Sequence, residues 1–176
     1  MFKKLLPILI IVVFCTAFSI PEKIVKKADK VIGKFYEIKD FDKELILVDE
    51  SSNAETPSEF RDENLFRILS NGTFLGYGYI GKAPAKTTDF DFLVLFDEDF
   101  VITKSKVLVY REEYGGEIGS KRWLKQFIGA STSTKELTYN GDIIPISGAT
   151  ISVQSMTRAM NDVLKSIALL QKKSLL

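Results

Sequence analysis

Ile146-Ser147-Gly148-Ala149-Thr150-Ile151-Ser152 sets small residues against a hydroxyl, immediately before a long amphipathic run. In that run Met156, Met160, Val163, Leu164, Ile167 and Leu170 recur at three- and four-residue intervals, which is the spacing of one buried helix face. Ser152 and Ser155 are the expected caps. The tight Ser147-Gly148-Ala149 turn then delivers Thr150 to the positive N-terminal end of a helix. Unpaired amides there attract anions, phosphate above all, and glycine lets the backbone come close to such a group. A turn and a cap before a helix need no ligand, so the tetrapeptide alone is a weak signal.

Upstream of this stretch the pattern is that of strands. Asn71-Gly72 is the favoured pair for a two-residue turn, and Phe66, Ile68, Phe74, Tyr77 and Tyr79 suit the two arms of a hairpin over residues 65–80. Asn71-Gly72-Thr73 also spells a glycosylation sequon, and the turn reading is preferred. Residues 90–96 and 100–110 read as two more strands joined across Asp97-Glu98-Asp99. Phe90, Phe92, Val94 and Phe96 share one face while Leu93 and Leu95 are apolar on the other, so that strand is expected to be covered on both sides. The acidic trio reads as a solvated turn, because nothing supplies the further ligands of a calcium loop.

Toward the N-terminus, residues 21–33 form a helical stripe of Ile24, Val25, Ala28, Val31 and Ile32, opened by Pro21 and closed by Gly33. Leu45-Ile46-Leu47-Val48 is the expected strand of the next segment, and residues 50–62 read as a surface loop. Trp123, Leu124 and Phe127 fit a short helix packed on the core, after a glycine-rich loop. The whole is expected to be α+β: an antiparallel sheet of about five strands with an N-terminal and a C-terminal helix packed on it.

Two glycine motifs mislead. Gly76-Tyr77-Gly78-Tyr79-Ile80-Gly81 fits a dinucleotide fingerprint, and with Lys82 it fits most of a P-loop. Both need a helix directly after the glycines, and the chain gives Lys82-Ala83-Pro84-Ala85 instead. Glycines alternating with tyrosines suit a strand that another backbone or a flat ligand approaches closely.

Composition narrows the chemistry further. The 176 residues carry 24 Lys plus Arg against 23 Asp plus Glu, a net charge of +1 that gives no support to nucleic-acid binding. There is no histidine, and the one cysteine is Cys15, so side-chain haem, iron–sulfur and zinc sites of the usual kinds are excluded, as is a disulfide framework. Redox work, if done, falls to an organic cofactor. No histidine base, reactive cysteine or carboxylate pair suggests a substrate-processing site.

The chain opens with Lys3-Lys4, an apolar run over residues 5–14 broken by Pro7, and Ala17-Phe18-Ser19 as a small-x-small cleavage site. Residues 1–19 are therefore expected to be a signal peptide, with an uncleaved membrane anchor as the alternative, and residues 20–176 a single domain. A lipid anchor at Cys15 is a third option, opposed by the bulky Phe14 before it. All three place the domain on the outer side of the cytoplasmic membrane, periplasmic or membrane-associated.

Ser147-Gly148-Ala149-Thr150 resembles the flavinylation motif of the FMN-binding domain family, which includes the covalent-flavin subunits of the sodium-pumping quinone reductase and the Rnf complex. The resemblance extends over roughly residues 34–168, through the strand array and the glycine-rich segment before the aromatic helix. It implies FMN as cofactor, joined by a phosphoester to Thr150 through a dedicated flavin transferase, with Ser147, Gly148 and Ala149 around the phosphate. It also implies that Gly116, Glu117, Ile118 and Gly119 help frame the flavin ring. Ile144 stands where many flavinylated members carry an acid, and the glycine-rich segment lacks the family's proline.

The function this implies is an exported electron carrier that relays electrons between redox partner proteins or membrane electron carriers. A small flavin-dependent reductase acting on a soluble acceptor and a flavin-free binding module of the same fold are the alternatives.

Overall fold

The computed structural model describes residues 20–61 and 63–176. The expected leader over residues 1–19, Cys15 included, lies outside them.

Five strands, β1 (Asp42–Leu45), β2 (Leu65–Ser70), β3 (Thr73–Pro84), β4 (Asp89–Phe96) and β5 (Ile102–Val109), pair antiparallel in chain order. The Asn71-Gly72 turn closes β2 on β3 with both residues at positive φ, 50° and 76°, as a tight hairpin turn requires. Helix α1 (Glu22–Tyr36) covers one face and α4 (Thr150–Lys172) the other. The α+β architecture expected from the sequence is the observed one.

β4 separates two cores. Phe90, Phe92, Val94 and Phe96 pack toward α4, where Met156, Met160, Val163, Leu164, Ile167 and Leu170 are all buried. Leu93 and Leu95 meet Ile24, Ala28 and Ile32 of α1. Each fully buried aliphatic side chain stabilises the fold by about 1.5–3 kcal/mol. The α4 stripe thus supplies a large share of the driving force that fixes this helix, and with it Thr150, against the sheet.

Several local expectations need correction. α1 does not stop at Gly33; it runs on to Tyr36, and Glu37 at φ 58° ends it, with Ile38 N donating to the Gly33 carbonyl at 2.9 Å. The extra turn seats Tyr36 against the sheet. β1 lies at Asp42–Leu45 rather than over residues 45–48, because its antiparallel partner β2 begins only at Leu65 and leaves Leu47 with nothing to pair; Leu47 is 85% exposed. Within the expected loop a short helix, α2 (Glu50–Ala54), forms where Asp49 accepts from the Ser52 amide at 3.0 Å.

The glycines of β3 lie in a strand, as the rejection of both phosphate motifs requires. The protein's own rings fill the space they leave. Phe66 lies over Gly78, and Phe92 with Tyr79 over Gly81. Neither position is open to a flat ligand.

Candidate functional site

α4 begins at Thr150, with Ala149 as its capping residue and no side-chain cap. Ser152 and Ser155, the expected caps, sit inside the helix and face the sheet. The Ser152 Oγ and Tyr110 hydroxyl lie 3.0 Å apart, and Ser155 Oγ donates to the Pro84 carbonyl. The two serines tie the first turns of α4 to the ends of β5 and β3. Left without an acceptor among the described residues are the amides of Thr150, Ile151 and Ser152. Three orphan donors at the positive end of a 23-residue helix form a ready place for a phosphate.

The approach to this helix is held from below. Trp123 Nε1 donates to the Ile144 carbonyl at 2.8 Å, and the Ile144 amide donates to Gln126 Oε1 at 2.7 Å. Trp123 itself is buried in the core, the role its helix pattern suggested. It sits on α3 (Lys121–Leu124), which the Ser120 hydroxyl caps by accepting from the Trp123 amide. Gly148 at φ 73° turns the chain, and the Ala149 amide closes the turn on the Ile146 carbonyl at 3.1 Å. Ser147, Gly148 and Thr150 are exposed while Ala149 is buried, so the turn offers its hydroxyls outward and anchors itself by one methyl group.

That methyl group meets Gly115. A Cβ on Gly115 would collide with the Ala149 side chain, and Gly115 holds φ 77°. The loop after β5 is therefore pressed against the turn that carries Thr150. A cleft of about 400 Å³ opens beside them, lined by Lys86, Tyr110, Glu112, Tyr114 and the 148–152 segment. Tyr114 is 76% exposed, its ring free at the cleft rim. Ile151, half exposed, adds an apolar edge.

Electrostatics at the cleft are arranged by Glu112. Its carboxylate accepts from the Thr87 amide at 2.7 Å, the Thr87 hydroxyl at 2.9 Å and the Thr88 amide at 3.3 Å. The Thr87 amide does most to hold this carboxyl below the usual range, with the Thr87 hydroxyl, the Thr88 amide and Lys86 adding to it. The negative charge is thereby committed to the β3–β4 turn, and Lys86 stands at the cleft as a cation. These groups fit a phosphate with an attached aromatic ring: unpaired amides, a lysine, an exposed tyrosine and a cavity within the size range of ligand sites.

Residues 86–165 match the family model described as the FMN-binding domain. The matched segment is an FMN-binding domain. The match begins at Lys86 and takes in every residue that lines the cleft. FMN is accordingly the cofactor, and flavin binding with electron transfer is the domain's general function. No curated protein matches the chain.

Of the residues expected at the site, Gly148, Ala149 and Thr150 line the cleft of the FMN-binding domain, and Ser147 adjoins it in the same turn. Gly116, Glu117, Ile118 and Gly119 form a 3-10 turn next to Gly115 and do not line the cleft. Ile118 is fully buried in the core on the α4 side. Lys86, Tyr110, Glu112 and Ser152 are site residues that sequence reasoning missed. They come from three separate stretches of the chain, and only the position of Tyr110 just after β5, next to the glycine-rich loop, could have drawn attention.

Proposed function

We propose that Thr150 carries FMN through a phosphoester on its Oγ, attached by a flavin transferase, and that the domain relays electrons on the outer side of the cytoplasmic membrane. The observation that carries this reading is the exposed Thr150 hydroxyl beside three unpaired helix amides, in a cleft that falls wholly within the FMN-binding match. The amides of Thr150, Ile151 and Ser152 hold the phosphate, with Ser147 as a further donor, and Lys86 balances its charge. Tyr114, exposed at the cleft rim, would be the side chain placed to contact the ring. Gly116, Glu117, Ile118 and Gly119 support the loop from which Tyr114 projects. Once bound, the flavin accepts and passes on electrons, while the protein fixes its position and tunes its potential.

A covalent tether keeps the cofactor with its protein in a compartment where free flavin is scarce. The apolar start of the chain supports export, with cleavage or anchoring as its two outcomes. Redox partner proteins or membrane electron carriers supply and collect the electrons. Intact mass of protein produced with a competent transferase tests the reading. The expected product gains one FMN less one water and loses the leader if cleavage occurs, and Thr150→Val gains no flavin. A polypeptide of unmodified mass from the transferase-competent host defeats the covalent reading.

A further inference from the structure

A basic patch lies on the α1 side of β5. Lys104 and Lys106 project from this face, opposite Leu95 and Leu93 in the register with β4. Burial above all, and then the nearby Lys121 of α3, Lys106 and Lys34 of α1, disfavour the charge on Lys104. None of the four has a carboxylate partner among the described residues. In their midst Phe35 is 37% exposed, with the Lys104 ammonium 5.9 Å from its ring centre.

Composition does not force this cluster. With 24 basic and 23 acidic residues the chain has nearly enough acids to intersperse among its lysines. Like charges held together cost stability, and such a cost is characteristic of surfaces that meet an opposite charge. The patch also adjoins the loop between β5 and α3, which leads back to the cleft. Lys106 Nζ donates to the Gly119 carbonyl at 3.4 Å, and Gly119 ends the 3-10 turn that follows Gly115, the residue packed on Ala149. Four residues of 3-10 helix span about 8 Å. A protein seated on the lysines is thereby brought to the neighbourhood of the Thr150 cleft.

We propose that Lys34, Lys104, Lys106 and Lys121, with Phe35 as their apolar centre, form the docking surface for an acidic redox-partner protein; this rests on the electron-relay reading above. Redox encounters use small interfaces and electrostatic steering, and an exposed aromatic ring within a charged rim matches the anatomy of such contacts.

The test uses the full chain and a plant-type ferredoxin, an acidic electron carrier, as the probe. Binding is followed by amide chemical shifts and by titration at low salt and at about 0.15 M salt, where the screening length is about 8 Å. The expected result is binding that weakens with salt and maps to β5, α3 and the end of α1. A Lys104→Glu, Lys106→Glu, Lys121→Glu protein loses affinity by tenfold or more, and the corresponding triple arginine protein keeps it. Phe35→Ala weakens binding and leaves the salt dependence unchanged. A triple glutamate protein that binds ferredoxin as well as the parent overturns the proposal. So does one that loses only its binding to phosphatidylglycerol vesicles, since the patch then reads lipid. Flavin absorbance of the denatured protein separates the two readings. Flavin-loaded protein indifferent to charge reversal sinks the docking surface alone; flavin-free protein that still docks through the lysines sinks the relay.

Discussion

Gly115 packs so closely on the Ala149 methyl group that it cannot grow: the loop leaving β5 and the turn entering α4 are joined through a glycine that has no room for a side chain. This one contact sets the distance between Tyr114, on one side of the cleft, and Thr150, on the other. Gly115 also sits at φ 77°, where an added Cβ is strained regardless of space. Gly115→Ala is therefore expected to lower stability by about 1–3 kcal/mol and to reduce flavin loading. Urea unfolding together with flavin absorbance checks both effects. A stable variant with full loading means the two loops are not coupled.

Thr150 caps nothing and is exposed, so its hydroxyl does little for the fold. Thr150→Val should change stability by less than about 0.5 kcal/mol while abolishing covalent flavin. Thermal unfolding and the visible spectrum of denatured, washed protein read the two effects separately. A large drop in melting temperature would assign Thr150 a structural role instead.

Tyr114 is a large, exposed aromatic at the mouth of the cleft. Tyrosine close to an excited flavin quenches its emission by electron transfer. Tyr114→Leu should raise the flavin fluorescence several-fold without changing the amount of flavin bound. Unchanged emission would place the ring elsewhere.

Arg111 secures the base of the same loop. Its guanidinium donates to the Asp91 carboxylate at 2.7 Å and to the Asp89 carbonyl at 2.7 Å, and the Asp91 side chain is buried. Arg111→Ala leaves that carboxylate without its partner, at a cost of about 3 kcal/mol. Asp91→Asn in the same background should recover part of the loss, because the orphaned charge is then gone. Chemical denaturation of the single and double variants measures the recovery, and none would mean that Arg111 acts by packing.

Tyr79 makes the fold sensitive to alkali. Burial pushes its hydroxyl from an ordinary 10.0 up to about 12; the Ser58 hydroxyl partly opposes this, and Glu59 and Asp162 add to it. The folded state thus holds the proton more tightly than the unfolded chain. The associated stability, about 2–3 kcal/mol, is fully present below pH about 10 and is lost as pH rises through about 12. Tyr79→Phe should flatten the fall in stability across that window. An unchanged alkaline profile would show that another group controls it.

Local rules carried much of the fold. The Asn71-Gly72 hairpin, the two-faced apolar pattern of β4 and the stripe of α4 follow from short-range sterics and from the periodicity with which side chains leave the backbone. Where tertiary partners decide, those rules fell short. β1 ends where β2 can no longer pair with it, and Ser152 and Ser155 face the sheet because Tyr110 and the Pro84 carbonyl are there to meet them. Gly78 and Gly81 of β3 are covered by Phe66 and Phe92, whose rings no reading of β3 alone could place.

The sequence by itself determined the α+β class, the turn before α4, and Thr150 as the residue at the head of that helix, because small residues followed by an amphipathic stripe fix the local backbone. Only the tertiary structure decided what surrounds Thr150. Lys86, Tyr110, Glu112 and Tyr114 are distant from it along the chain, and they meet it only because burial of two apolar faces locks α4 and β5 into one arrangement.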